Sequence, residues 1–260
     1  MEGAEPSSMP AGVEILFVGV FLLITFLFAP TVSKRKVAKV FGFLQVDSFF
    51  LRGIVKKIFF FINCIIKNTF WEVFMATKLY IDQGHNPENP NAGAEGNGLR
   101  EQDITYRVGI ELAELLRGNP DFEVRLSRPT PTTGLGSSNT TSLQARVNDA
   151  NAWGADYFIS LHTNASSIPS ATGVEAFAYS RPSRGFSLGE DIVEGISEAT
   201  GLQNRGMKVR PGLYVLRNTA MPAVLVEMGF ITNPEDAALM NNNPALFARG
   251  IYNGILEYFG

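Results

Sequence analysis

From Lys78 to Phe259, short apolar runs alternate with stretches of helical period, and this alternation constrains the fold more than any other feature. Lys78 to Asp82, Phe122 to Leu126, Ala155 to His162, Val174 to Tyr179, Leu213 to Leu216 and Ala223 to Met228 read as strands. Between the first two, Ile104, Val108, Leu112 and Leu115 or Leu116 recur at helical spacing over Glu101 to Arg117. Gly118-Asn119-Pro120 stops that helix. Thr141 and Gln144 fit a capping box for a helix running to about Trp153. Ser187 to Thr200 reads as another helix. Asn233 as cap and Pro234 at the first position start a further one, and a last helix covers about Pro244 to Phe259. Gln83 to Gly98 and Pro129 to Thr140 read as loops, rich in Gly, Asn and Pro or in Thr, Gly and Ser. The expected fold class is α/β, a mostly parallel central sheet with helices on both faces.

The chain ahead of that pattern differs in composition. Residues 1–74 are rich in Phe, Ile, Leu and Val, and the boundary falls near "WEVFMATKLYID". Ile15 to Ala29 carries no charge, and with Ala11 to Val13 it approaches the roughly 20 residues that span a bilayer. Acidic Glu2, Glu5 and Glu14 precede it, against a cleaved signal peptide. Lys34, Arg35, Lys36 and Lys39 follow and place that side in the cytoplasm. A second apolar stretch, Ile58 to Phe74, contains Lys67, which costs about 2.5–3.5 kcal/mol at a bilayer centre. Residues 1–74 are therefore expected to form an apolar N-terminal membrane-type segment of one or two membrane-associated helices. Residues 75–260 are expected to form a catalytic domain. If the second stretch spans, the domain faces outward; if it lies on the surface, the domain stays inside. If translation starts at Met75, the domain is soluble or released. The net charge of −3 offers no basic field for nucleic acid. Cys64, the one cysteine, excludes an intrachain disulfide and a Cys-based zinc cluster, so any metal site must use His and carboxylates.

The chain has two His, and both follow apolar runs: His85 after "LYIDQG" and His162 at the end of "DYFISLH". Glu227 ends "AVLVE", and Glu101 opens the first helix after the long loop. In open α/β sheets ligands lie beyond the carboxyl ends of the strands, so these four side chains can converge on one edge. Taken singly, each has a plainer role: a His in a turn, Glu101 at a helix N-terminus, Glu227 paired with an Arg. Their joint placement favours a site. Catalytic zinc takes three His or carboxylate ligands and keeps one position open for water. A further carboxylate must take the water's proton and pass it to the leaving nitrogen. Two His, one Glu as ligand and one Glu as base fit that arithmetic. No Gly-x-Ser-x-Gly elbow is present.

Four motifs occur in order: "YIDQGH", "GAEGNGLRE", "SLHTNA" and "VEMGFITN", with "NRGMK" and "LYVLR" between the last two. Over about residues 77–260 the chain resembles the zinc-dependent N-acetylmuramoyl-L-alanine amidases of the amidase type 3 family. The resemblance implies His85, Glu101 and His162 as zinc ligands and Glu227 as the catalytic carboxylate. It implies Zn2+ as cofactor and hydrolysis of the peptidoglycan amide between N-acetylmuramic acid and the L-Ala of the stem peptide. Gln83 stands where the family usually has Pro, and Asn86 where it often has Gly. Asn164 and Arg217 are substrate-binding candidates, each with an equal alternative: a turn role for the first and a salt bridge for the second. Arg128 and Arg146 read as structural, and Glu175 as a support behind the site. Two rivals stand beside this reading. One is a zinc peptidase or other amidohydrolase acting on a different amide. The other is a membrane-anchored wall-binding protein without activity.

Overall fold

The computed structural model describes residues 76–260. The expected membrane-type segment at 1–74, with Cys64 and its boundary near Met75, lies outside the described residues. Among the described residues there are eight strands: β1 Thr77–Gln83, β2 Glu95–Gly96, β3 Leu99–Arg100, β4 Phe122–Leu126, β5 Tyr157–Asn164, β6 Val174–Ala178, β7 Asn204–Val209 and β8 Ala223–Phe230. The helices are α1 Glu101–Arg117, α2 Asn139–Trp153, α3 Arg184–Thr200, α4 Tyr214–Asn218, α5 Pro234–Asn242 and α6 Pro244–Phe259. Six strands form one sheet in the order β4-β1-β5-β8-β6-β7. Every neighbouring pair is parallel except β8–β6, which is antiparallel. The expectation of a mostly parallel sheet holds.

Strand side chains alternate between faces, and the core divides accordingly. Leu79, Ile81, Ile159, Leu161, Val224 and Val226 pack with apolar faces of α1, α3 and α6. Tyr80, Phe158, Phe177 and Leu225 belong to a second cluster with Val147 and Ala150 of α2 and Val215 and Leu216 of α4. Asp82, His162 and Glu227 share the alternation of Tyr80, Phe158 and Leu225. They therefore point to the side that, among the described residues, carries α2 and the short α4.

Several local expectations need correction. Leu213 to Leu216 is not a strand: Tyr214–Asn218 is helical, and the Arg217 N–H donates to the Leu213 carbonyl. Its two buried residues, Val215 and Leu216, suit either period, so a four-residue apolar run could not separate the two. β7 was not expected because its residues are largely exposed at the sheet edge and show no apolar run. The cap of α2 is Ser138, not Thr141; Ser138 Oγ accepts from the Thr141 N–H at 3.2 Å, and Thr141 Oγ1 accepts from the Ser138 N–H at 2.9 Å. The long loop also holds the β2–β3 hairpin, turned by Asn97 and Gly98 at φ 52° and 73°. Asn-Gly supplies the positive φ values such a turn requires. The cap of α5 is as expected, with Asn233 Oδ1 accepting from the Glu235 and Asp236 N–H groups.

Candidate metal centre

The site begins with a close approach. At Gly84, just past β1, a Cβ would lie 2.5 Å from both the Leu161 carbonyl and His162 Cε1. Only glycine lets β1 and β5 run that closely beside the histidine. His85 then takes φ 67°, a left-handed conformation that costs about 1–3 kcal/mol for a residue with a side chain. Buried partners hold it there. The His85 carbonyl accepts from Arg146 Nη2, and Arg146 Nη1 donates to the Gln83 carbonyl at 2.7 Å and to Asp82 Oδ1. Asp82 Oδ2 accepts from Ser160 Oγ at 2.7 Å. Burial alone would raise the Asp82 pKa, but the Arg146 charge and these hydrogen bonds hold it below the usual value. Asn86 continues the clamp, its side chain donating to the Pro90 and Leu135 carbonyls. Gln83 binds outward, with Oε1 accepting from the Arg128 N–H at 2.8 Å and Nε2 donating to the Arg128 carbonyl.

Glu101 is the first residue of α1 and is 3 % exposed. Both carboxylate oxygens are occupied. Oε1 accepts from the Thr163 N–H at 2.9 Å and lies 3.0 Å from His162 Nδ1. Oε2 accepts from the Ala94 N–H at 2.9 Å and lies 3.2 Å from His85 Nε2. Burial opposes its charge most strongly, yet the hydrogen bonds and charges of His162 and His85 outweigh burial and hold its pKa far below the carboxylate range. The two rings meet edge to face at 4.8 Å. One ligand atom from each of His85, Glu101 and His162 lies within 4.8 Å of the others. Two imidazoles and a carboxylate suit a zinc-type ion. The buried His85 Nδ1 has no hydrogen-bond partner, a further sign that the trio is arranged for more than its internal contacts.

Glu227 stands in register with His162 on one side and Glu175 on the other, so one row crosses β5, β8 and β6. Neither Glu227 nor His162 ends its strand; β8 runs to Phe230, and β5 runs to Asn164 past an irregularity. Glu227 Oε2 is buried without a hydrogen bond. Burial, then the negative charges of Glu101 and Glu175, push its pKa up to about 8, with Arg210 pulling the other way. A cleft of about 140 Å³ adjoins the ligands, and His85, His162, Leu143, Leu213, Tyr214 and Val215 are among the residues that line it.

The remaining candidates divide. Asn164 is committed to the protein: Nδ2 donates to Glu175 Oε1 at 3.0 Å, and Oδ1 accepts from the Ala165 N–H. Arg217 is exposed on α4, outside the cleft lining, and forms no ion pair among the described residues. Arg128 is buried and donates to the Gln102 carbonyl, a structural role as expected. Arg146 is structural too, yet it acts directly on the His85 backbone. Glu175 supports the row behind Glu227, with Oε2 accepting from Arg205 Nε at 2.8 Å and from Lys208 Nζ. Neither cation was singled out from the sequence; the signal was the pair of basic residues inside "NRGMK".

An α/β domain that gathers two His and a Glu at the carboxyl end of its sheet, with a half-buried Glu on the next strand and a cleft alongside, is laid out as a hydrolase with a candidate metal centre. The sequence model of the amidase type 3 family, described as N-acetylmuramoyl-L-alanine amidase, matches residues 79–257, and the chain belongs to that family. It is 37% identical over 186 residues to the N-acetylmuramoyl-L-alanine amidase CwlM of Bacillus licheniformis, covering 70% of this chain and 68% of that protein. It is 33% identical over 186 residues to the sporulation-specific N-acetylmuramoyl-L-alanine amidase of Bacillus subtilis strain 168, with the same coverages. Among solved structures, an N-acetylmuramoyl-L-alanine amidase from Clostridium difficile 630 superposes with a TM-score of 0.63 at 29% identity, over 71% of this chain and 97% of that one.

Proposed function

We propose that the chain is a zinc-dependent amidase that cleaves peptidoglycan between N-acetylmuramic acid and the L-Ala of the stem peptide. His85, Glu101 and His162 would hold the ion. The observation that carries this reading is the convergence of those three side chains, from just past β1, from within β5 and from the start of α1, beside a carboxyl on the adjoining strand whose Oε2 is buried without a partner. Zinc held there would activate a water and polarise the scissile carbonyl. Glu227 takes the water's proton and returns it to the departing L-Ala nitrogen. Its raised pKa suits both halves of that transfer, because a group poised near neutrality both accepts and releases a proton. Arg146 keeps His85 aimed, and Gly84 keeps the two strands close enough for the ligands to meet.

We further propose that residues 1–74 attach the domain to the bacterial membrane, with the catalytic domain facing the wall. Wall remodelling, spore processing and phage-type lysis all suit such an enzyme. The test is a digest of purified peptidoglycan by the full chain, with chelator and then with added zinc, followed by mass analysis. Zinc-dependent release of intact stem peptides with a free L-Ala amino terminus is the expected result. Intact wall beside cleaved free peptides would favour a zinc peptidase. Tight wall binding with no turnover after zinc is restored would favour a wall-binding protein.

A further inference from the structure

The row that contains Glu227 leads into a group of cations the reaction itself does not use. Glu175 is its anchor, with a side chain 7 % exposed and every oxygen engaged. Oε1 takes Asn164, and Oε2 takes both Arg205 and Lys208. Lys208 stands in register with Phe177, on the face that carries Leu225 and Glu227. Arg210, just past β7, lays its guanidinium over the Phe177 ring at 4.8 Å, and its N–H donates to the Ala178 carbonyl. Arg210 forms no ion pair among the described residues. Two positive side chains therefore hold one carboxylate, a third lies beside them over Phe177, and all three residues are solvent-exposed. Glu175 fixes two of them in place and leaves the surface net positive.

Resting on the amidase reading above, we propose that Arg205, Lys208 and Arg210 form a carboxylate subsite for the stem peptide. Glu227 delivers its proton to the L-Ala nitrogen, so the stem begins at β8 and must leave past one of its neighbours. β7 lies two strand spacings from β8, roughly 10 Å. An extended peptide covers about 3.3–3.6 Å per residue, so a stem that leaves over β6 carries the residue after L-Ala across that strand with its side groups within reach of β7. A stem whose second residue is acidic and joined through its side chain presents a free α-carboxylate there. A fixed pair of cations with a third beside it binds such a group through charge-assisted hydrogen bonds, which two of the three offer without losing Glu175.

The test compares two soluble N-acetylmuramoyl peptides with the full-length, zinc-loaded chain: one with the free α-carboxylate on the residue after L-Ala, one with that group amidated. The wild-type chain is expected to show a KM about tenfold lower for the free acid, as one charge-assisted hydrogen bond supplies, with kcat nearly equal. Arg210→Gln and Lys208→Gln should each shrink that preference to about twofold by the same reasoning, while Lys208→Arg retains it. A second measurement needs no variant: added salt should raise KM for the free acid and leave it unchanged for the amide. Equal KM values for both substrates, or a preference untouched by the variants and by salt, overturn the subsite and leave the amidase reading intact. Cleavage of neither substrate overturns both.

Discussion

The two halves of the site are built on opposite rules. On the β1, β5 and α1 side, the carboxylates of Asp82 and Glu101 are tied down on both oxygens, although His85 Nδ1, Arg146 Nε and Thr163 Oγ1 are buried without partners. Glu101 has contacts on both oxygens, and Arg146 reaches Asp82, Gln83 and His85 at once. On the β8 side, Glu227 Oε2 is buried with nothing to bind. The contrast separates holding from reacting. Groups that must stay put are over-determined, and the group that must exchange a proton is left free in a setting that disfavours its charge. An unpaired carboxylate oxygen buried in the fold costs stability, so its presence beside two carboxylates that are fully engaged is itself a pointer to function.

Four experiments break or sharpen that contrast. The largest effect is expected on the holding side, where His162→Ala should abolish both zinc binding and turnover, read by metal analysis and peptidoglycan digestion. Retained zinc with lost turnover would move His162 to the reacting side. Next, Arg146→Met leaves Asp82 buried and unpaired, and should destabilise the chain by about 3–5 kcal/mol in denaturant unfolding. It should also weaken zinc binding by about 10–100-fold, as the loss of a ligand's support does. Unchanged zinc affinity would show that the His85 conformation needs no clamp.

The third experiment concerns pH. The folded-state pKa of Glu227, about 8, lies above its ordinary value of 4.5. The folded metal-free chain thus holds that proton more tightly than the unfolded chain. The stability this brings is full below pH 4.5 and is lost as pH rises to 8. Glu227→Gln cannot lose it. The metal-free variant should therefore gain thermal stability relative to the parent between pH 5 and pH 8, at about 2–4 °C for each kcal/mol. An equal difference in Tm at both pH values would mean that Glu227 is not held protonated. The smallest effect is expected from Arg217→Ala, an exposed change that should leave stability within about 0.5 kcal/mol and turnover nearly unaltered. A large rise in KM would return Arg217 to the substrate groove.

How much of this was legible beforehand follows from the kind of signal each residue leaves. The core strands and long helices are readable because burial imposes a period, as in Ile104, Val108 and Leu112 on α1. The four chemical residues are readable because His and Glu are conspicuous at the ends of apolar runs. β7 leaves little trace, since an exposed edge strand needs no apolar alternation, and α4 is too short for its period to differ from that of a strand. Arg146 reads as structural in the sequence because its work is done through backbone carbonyls 61 and 63 residues away, which no local pattern records. The link from Asn164 to Glu175 is equally silent: both residues are visible, but their pairing is a product of the sheet order.

The division between holding and reacting is tested most directly by measuring bound zinc and peptidoglycan turnover on the same preparation of Glu227→Gln. The account predicts a full complement of zinc, with turnover lower by about 10²–10⁴-fold, as expected on losing a general base. Full activity would remove Glu227 from the mechanism, and loss of zinc would place it among the ligands instead.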